Sequence, residues 1–423
     1  MDALFTATSA VSTTGLITTN TPTALTFWGE LVVLGLIQMG GLGYMTLGSF
    51  VVLAGHHKLN AVRKGVAQAA FALPDGFDAR MFVRNVVVFT LVVEAIGAAL
   101  LFPAFWHAGV AERAAAGEIG ASFGGAMHVA WQSVFHAVSA LCTAGFSLFP
   151  DSLESYAGDV WVNAVVSALA ILGAIGFIVL TDFFRGATKP HYRVTLTSKI
   201  ILCVTAWFIL GGAALLFLGD PSIGGLPAEE RLMVAFFQSM TAATTVGFNT
   251  YPIGALSLAS VLLMYLLMIV GASPSGTGGG LKSTSVSVVF AMVRSTLKGR
   301  HRITFLGKRI PDRRLFAAFA SLAMYVSTLL VGCYLLLLTE TRAGGAAGDA
   351  GWSFEDLIFE AASALGTVGL SRGLTGDLSE LGKLIIILLM FAGRVGPMSL
   401  GLALFARGGT PAGDGDSEED VAL

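Results

Sequence analysis

Charge is what this chain most lacks. Only 12% of its 423 residues are Asp, Glu, Lys or Arg, about half the share of an ordinary soluble domain, which excludes a soluble enzyme. The 25 basic and 27 acidic residues nearly cancel, to a formal charge of −2. That leaves no basic excess to hold a phosphate backbone, so nucleic acid is excluded as a partner. Cysteine is scarce as well. Cys142, Cys203 and Cys333 are odd in number, widely spaced and set among apolar or small residues, which is neither a disulfide framework nor a metal-ligand set. All three are expected to be small buried residues. The seven histidines include one adjacent pair, His56 and His57, and no H-E-x-x-H arrangement. No metal site and no bound organic cofactor are expected.

Apolar residues make up 55% of the chain, and it has 52 glycines. A bilayer core of about 30 Å needs about 20 apolar residues in a helix. Seven runs qualify, at 27–53, 81–106, 160–184, 195–218, 255–294, 315–338 and 381–405. The expected fold class is therefore an all-α polytopic membrane protein, multi-pass in the cell membrane, with the lipid bilayer as its surroundings. Bases gather in alternate connections, around 58–64, 185–199 and 298–314, and acids in the others, around Glu118, Glu229 and Glu340. The basic side is cytoplasmic by the positive-inside rule, and the acidic tail 407–423 lies with it.

Aligned with itself, the chain shows one pattern four times. Phe5, Phe135, Phe237 and Phe359 each precede, by ten residues, Gly15, Gly145, Gly247 and Gly369. Between them lie Ser or Thr, Ala, and then Thr13-Thr14, Thr143-Ala144, Thr245-Val246 or Thr367-Val368. A segment of about ten to twelve helical residues rises about 15 to 18 Å, half the hydrocarbon thickness. It must enter and return on the outer side. The extended T-x-G backbone that follows leaves carbonyls without helical partners, which is tolerated at membrane depth only where they line a wet cavity or hold an ion. Four such loops around one axis make a carbonyl ring, the device that replaces the water shell of potassium. The half-helices point their negative C-terminal ends at the centre.

The run 255–294 would measure about 60 Å as one helix, twice a span, so it must break. The break is written at 271–284, with Gly271, Gly276, Gly278, Gly279, Gly280 and Pro274 ahead of Lys282. It reads as a mobile gate beneath the ring or as a packing kink. A phosphate-binding loop does not fit, because Leu281 separates Gly280 from Lys282. Arg394, in the last span, must face the cavity or a partner, as a barrier or as a cap on the broken helix. Glu94 reads as an interhelical hydrogen-bonding group or as a site for a coupling sodium or proton, with Gln38 and Asn163 as interhelical glue.

At the four T-x-G loops the chain resembles the Trk/Ktr/HKT superfamily of potassium transporters, and its Gly393-Arg394-Val395-Gly396-Pro397 segment resembles the bacterial Ktr branch. The resemblance covers essentially the whole chain. It implies four span, pore-loop, span units at 1–54, 81–185, 195–297 (gating loop 271–284) and 314–406, with Gly15, Gly145, Gly247 and Gly369 as potassium-selective filter glycines. Lys282 matches the end of the family's gating loop, and Arg394 its barrier arginine. The resemblance further implies a homodimer with one pore per subunit, a cytosolic nucleotide-binding regulatory subunit of the Ktr/Trk kind, and sodium as an activator. The family has a helix before its first loop, and this sequence opens at the loop, so the first outer helix is expected to be missing. The rival readings are a secondary symporter with discontinuous helices and an intramembrane enzyme. The enzyme lacks any His/Cys/Asp cluster or Ser-Lys pair at depth.

Overall fold

The computed structural model describes residues 1–54, 79–115, 123–189, 191–274, 276–300, 302–305, 307–342, 352–397 and 399. The His56-His57 pair, the basic segment 58–64, the acidic connection at Glu118 and the tail 407–423 lie outside them.

Helices dominate the described residues. A short helix α1 (Asp2–Val11) leads into α2 (Phe27–Ala54). The long α3 (Ala79–Ala115) precedes α4 (Phe123–Leu141), α5 (Val160–Ile175) and α6 (Phe177–Thr188). Next come α7 (Leu196–Gly219), α8 (Ala228–Thr244), α9 (Leu258–Ile269) and α10 (Ser283–Leu297). The last set is α11 (Asp312–Arg342), α12 (Phe354–Gly366) and α13 (Glu380–Val395). Helices α1, α4, α8 and α12 carry the four repeats and make the centre. Phe5, Phe135, Phe237 and Phe359 are each fully buried there.

Polarity is inverted relative to a soluble protein. Trp207, Leu210, Leu215 and Leu218 of α7 are exposed, as are Phe316, Leu330 and Tyr334 of α11, whereas Ser139, Thr241, Thr244 and Ser363 are completely buried. Apolar groups on the outside and polar groups within are what a hydrocarbon solvent selects. The ends are fastened alike in the last two units. Asp220, just beyond α7, accepts from the N-cap Ser257 of α9 (3.3 Å to its N–H). Glu340, at the end of α11, accepts from the hydroxyl and N–H of the N-cap Ser379 of α13 (2.7 and 3.3 Å). A buried carboxylate at a helix N-terminus is stabilised by the free N–H groups and the helix dipole.

The helices depart from the apolar runs in several places. Among the described residues three helices are individually long and apolar enough to cross a bilayer, Arg84–Ala108, Leu196–Gly219 and Arg314–Thr341. The run 160–184 is bent: it turns through 96° between Val160–Ile175 and Val179–Thr188, where Gly176 takes φ +80°. Helix α13 stops at Val395, where Gly396 takes φ +86°. Arg394 therefore stands at the end of α13. The 255–294 run breaks between α9 and α10, where β1 (Val270–Gly271) pairs in parallel with β2 (Leu281–Lys282). The repeat helices α4 and α8, at 19 and 17 residues, are longer than the expected ten to twelve, so the half-depth estimate holds only for α1 and α12. Of the three cysteines only Cys142 is buried; Cys203 is exposed.

Candidate functional site

Each repeat helix ends in the same way, and the ending is strained. Thr13, Thr143, Thr245 and Thr367 adopt φ of +51°, +51°, +60° and +49°. A β-branched residue in the left-handed region is a genuine outlier, here repeated four times. The helix closes behind each threonine by the paired bonds of a Schellman motif. Thr13 N–H donates to the Ala10 carbonyl (3.1 Å) and Thr14 N–H to that of Ser9 (2.8 Å), with counterparts in all four copies. Glycine would take this corner with less strain, so the threonine side chain earns its place by what it touches. Two residues on, Gly15, Gly145, Gly247 and Gly369 again have positive φ, +94°, +68°, +87° and +87°. In three of the four repeats the Ser or Thr of the motif holds this second corner. Ser9, Thr241 and Ser363 hydroxyls accept the N–H of Gly15, Gly247 and Gly369, each at 3.1 Å.

The four corners close on one another. A Cβ on Gly15 would collide with the Ala144 carbonyl oxygen, one on Gly145 with that of Val246, one on Gly247 with that of Val368, and one on Gly369 with that of Thr14. The order runs one to two to three to four and back to one. The twelve residues Thr13-Thr14-Gly15, Thr143-Ala144-Gly145, Thr245-Val246-Gly247 and Thr367-Val368-Gly369 thus form a single ring of backbone, with glycine required at each contact by both space and φ.

The loop between β1 and β2 fills the space under this ring. Thr277 accepts a hydrogen bond from the Thr143 hydroxyl and donates to the Leu141 carbonyl, both at 3.1 Å. A Cβ on Gly278 would strike the Thr245 hydroxyl, and one on Gly279 the Thr367 hydroxyl. The Arg394 guanidinium donates to the Thr13 hydroxyl (2.8 Å) and to the carbonyls of Thr277 and Gly40. All four ring threonines therefore meet either the loop or Arg394. Gly271 and Gly280 lie against each other where the strands pair, Gly276 lies against the Ala174 carbonyl, and Lys282 reaches back to the Gly278 carbonyl at 2.9 Å.

A second set of glycines was not singled out from the sequence. Gly40, Gly173 and Gly393 lie where an inner helix crosses the end of a repeat helix, and a Cβ on each would strike the carbonyl of Val11, Leu141 or Leu365. They stand 24 to 28 residues beyond the ring glycines, and Gly271 occupies the same interval in the third unit. That spacing was the available signal.

Glu94 lies behind the second corner. It accepts from Gln38 (2.8 Å) on α2 and from the Cys142 thiol (3.7 Å), which also faces Gln38 (3.4 Å). Of the two sequence readings for Glu94, the structure displays the interhelical hydrogen bond. Asn163 differs from expectation: its amide caps the carbonyls of Tyr156 and Asp159 in the preceding connection (2.8 and 2.7 Å) and bridges no helices. Glu94→Ala strands the Gln38 amide and is expected to cost about 2 kcal/mol, read as a lowered Tm in detergent, whereas Glu94→Gln, which keeps an acceptor oxygen for that amide, stays close to the parent Tm.

Apolar helices of membrane length, with four loops meeting in one backbone-lined ring, define a polytopic membrane transport protein. The model of the TrkH cation transport proteins matches residues 1–407, and the chain belongs to that family. It is 32% identical over 412 residues to the Ktr system potassium uptake protein B of Vibrio alginolyticus, covering 95% of this chain and 84% of that one. It is 34% identical over 414 residues to the potassium/sodium uptake protein NtpJ of Enterococcus hirae, covering 96% and 86%. The crystal structure of the potassium transporter TrkH from Vibrio parahaemolyticus shares the fold, with a TM-score of 0.69 at 19% identity, over 96% of this chain and 78% of that one.

Proposed function

We propose that this chain takes up potassium, passing it inward down its electrochemical gradient through the ring of Gly15, Gly145, Gly247 and Gly369. Thr13-Thr14, Thr143-Ala144, Thr245-Val246 and Thr367-Val368 complete the filter. The observation that carries this reading is the cyclic contact of the four glycines with their neighbours' carbonyls. Such a ring offers oxygen atoms in place of the ion's hydration shell without a side-chain charge, and four helix C-termini aimed at it favour a cation. The names of the relatives, potassium uptake proteins, point the same way.

The loop with Gly271, Gly276, Gly278, Gly279, Gly280 and Lys282 is the gate, and Arg394 its latch. A potassium ion held at the Thr13 hydroxyl would stand about 5 Å from the guanidinium, a repulsion of about 3 kcal/mol at an effective dielectric of about 20. The units at 1–54, 81–185, 195–297 and 314–406 each contribute one side of the pore. The protein is a transporter and not an enzyme. It works as a homodimer with a cytosolic nucleotide-binding regulatory subunit, for which the basic connection at 298–314 offers a docking surface. Sodium acts as an activator, in keeping with the paired name of the Enterococcus relative.

The test is rubidium uptake in a bacterium deficient in potassium uptake, with and without a co-expressed regulatory subunit. Saturable uptake competed by potassium is the expected result. Absence of uptake from protein inserted in the membrane with its subunit would overturn the reading.

A further inference from the structure

In each repeat the residue after the phenylalanine occupies the same place on its helix: Thr6, His136, Gln238 and Glu360. The last three are almost completely buried, and each reaches the limb of chain that leaves its own ring glycine. His136 Nε2 pairs with the Ser147 hydroxyl at 2.9 Å, two residues beyond Gly145. Gln238 donates to the Tyr251 carbonyl at 2.7 Å, four residues beyond Gly247. Glu360 accepts from the hydroxyls of Ser371 and Thr375, the second at 2.9 Å, two and six residues beyond Gly369.

An imidazole, an amide and a carboxylate have no chemistry in common that packing would select. Each is costly to bury unless paired, and an apolar residue would fill the site without that cost. What they share is the far partner. In the second and fourth repeats that partner is a serine which itself shapes the limb, because Ser147 accepts the Phe149 N–H and Ser371 the Gly373 N–H, both at 2.9 Å. The fourth limb has an additional strut, the Arg372–Asp356 ion pair at 2.8 Å. The first repeat differs: Thr6 is half-buried and makes no such tie among the described residues.

We infer that His136, Gln238 and Glu360 are positioning residues that tether the limbs outside the ring and so set its width. Admitting sodium, the smaller ion, requires carbonyls to move inward, and a limb tied to its helix resists that movement. The ties are unequal, strongest in the fourth repeat and lacking in the first, so discrimination against sodium is unevenly distributed around the ring. This inference rests on the potassium-filter reading above.

The test reads the sodium concentration that half-inhibits rubidium uptake, titrated upward from the concentration at which activation by sodium is complete, with protein abundance in the membrane measured alongside. Ser371→Ala and Glu360→Ala are expected to lower it about fivefold and Ser147→Ala in the same direction, while Glu360→Gln, which keeps one acceptor oxygen, falls between these and the parent. Thr6→Val should leave it unchanged. Gly247→Ser serves as the control for the filter itself. If Gly247→Ser shifts the half-inhibition and neither serine variant does, the tether is overturned. If Gly247→Ser shifts nothing, the filter reading falls and takes the tether with it. Should Glu360→Ala fail to accumulate, the two serine variants, each lacking one hydroxyl, decide the matter.

Discussion

Gly247→Ser is expected to lower the preference for potassium over sodium by about tenfold or more, or to abolish uptake. At φ +87° the residue sits where side chains are disfavoured, and its Cβ would run into the Val368 carbonyl oxygen. Either that carbonyl turns away from the axis or the ring widens on one side. Losing one well-placed oxygen ligand is a matter of about 1.4 kcal/mol per tenfold of discrimination, and a strained backbone adds to it. The same argument applies to Gly15, Gly145 and Gly369, since each faces the next repeat's carbonyl. The measurement is the ratio of rubidium uptake in excess sodium to that at a sodium concentration just sufficient for activation. Unchanged ratios in variants that reach the membrane would show that these glycines do not line the ion's path.

Much of the central architecture was legible because it is repeated. One Phe-to-Gly interval of ten residues in a membrane chain is unremarkable; four in register specify a common backbone, and the four threonine corners with φ near +50° are that backbone. The break after Ile269 was legible for a different reason, since five glycines and a proline in fourteen residues leave no helical alternative. Hydropathy could not register the turns at Gly176 and Gly396. Each needs only one glycine within an otherwise apolar run, and apolar content is indifferent to φ. The tethers at His136, Gln238 and Glu360 and the Asp220 and Glu340 caps were hidden because each joins residues between 11 and 39 positions apart, and the ring order because its contacts join residues more than 100 positions apart. Reading the column beside each repeat phenylalanine would have exposed the tether positions, though not their partners.

Arg394→Ala is expected to raise potassium uptake about tenfold in the absence of any regulatory subunit, and at the same time to lower the protein's Tm. Both effects come from the same three contacts. The guanidinium joins the Thr13 hydroxyl of the first unit, the Thr277 carbonyl of the loop and the Gly40 carbonyl of α2. Hydrogen bonds to a charged group are worth about 1.5 to 3 kcal/mol each, so their loss frees the loop from its place under the ring. A shift of about 1.4 kcal/mol in a two-state equilibrium already changes the minor population tenfold. The repulsion at the Thr13 level disappears with the charge, which also favours passage. The carbonyls of Gly40 and Thr277 lose their partner, which is the source of the lower Tm. Arg394→Lys separates the two roles: it retains the positive charge but not the forked geometry that reaches three chain segments. If the charge is the barrier, the lysine variant remains slow while its Tm falls; if the latch is the barrier, it conducts like the alanine variant. Uptake by Arg394→Ala no faster than the parent, in protein that inserts and folds, would remove Arg394 from the gate and leave it a structural brace.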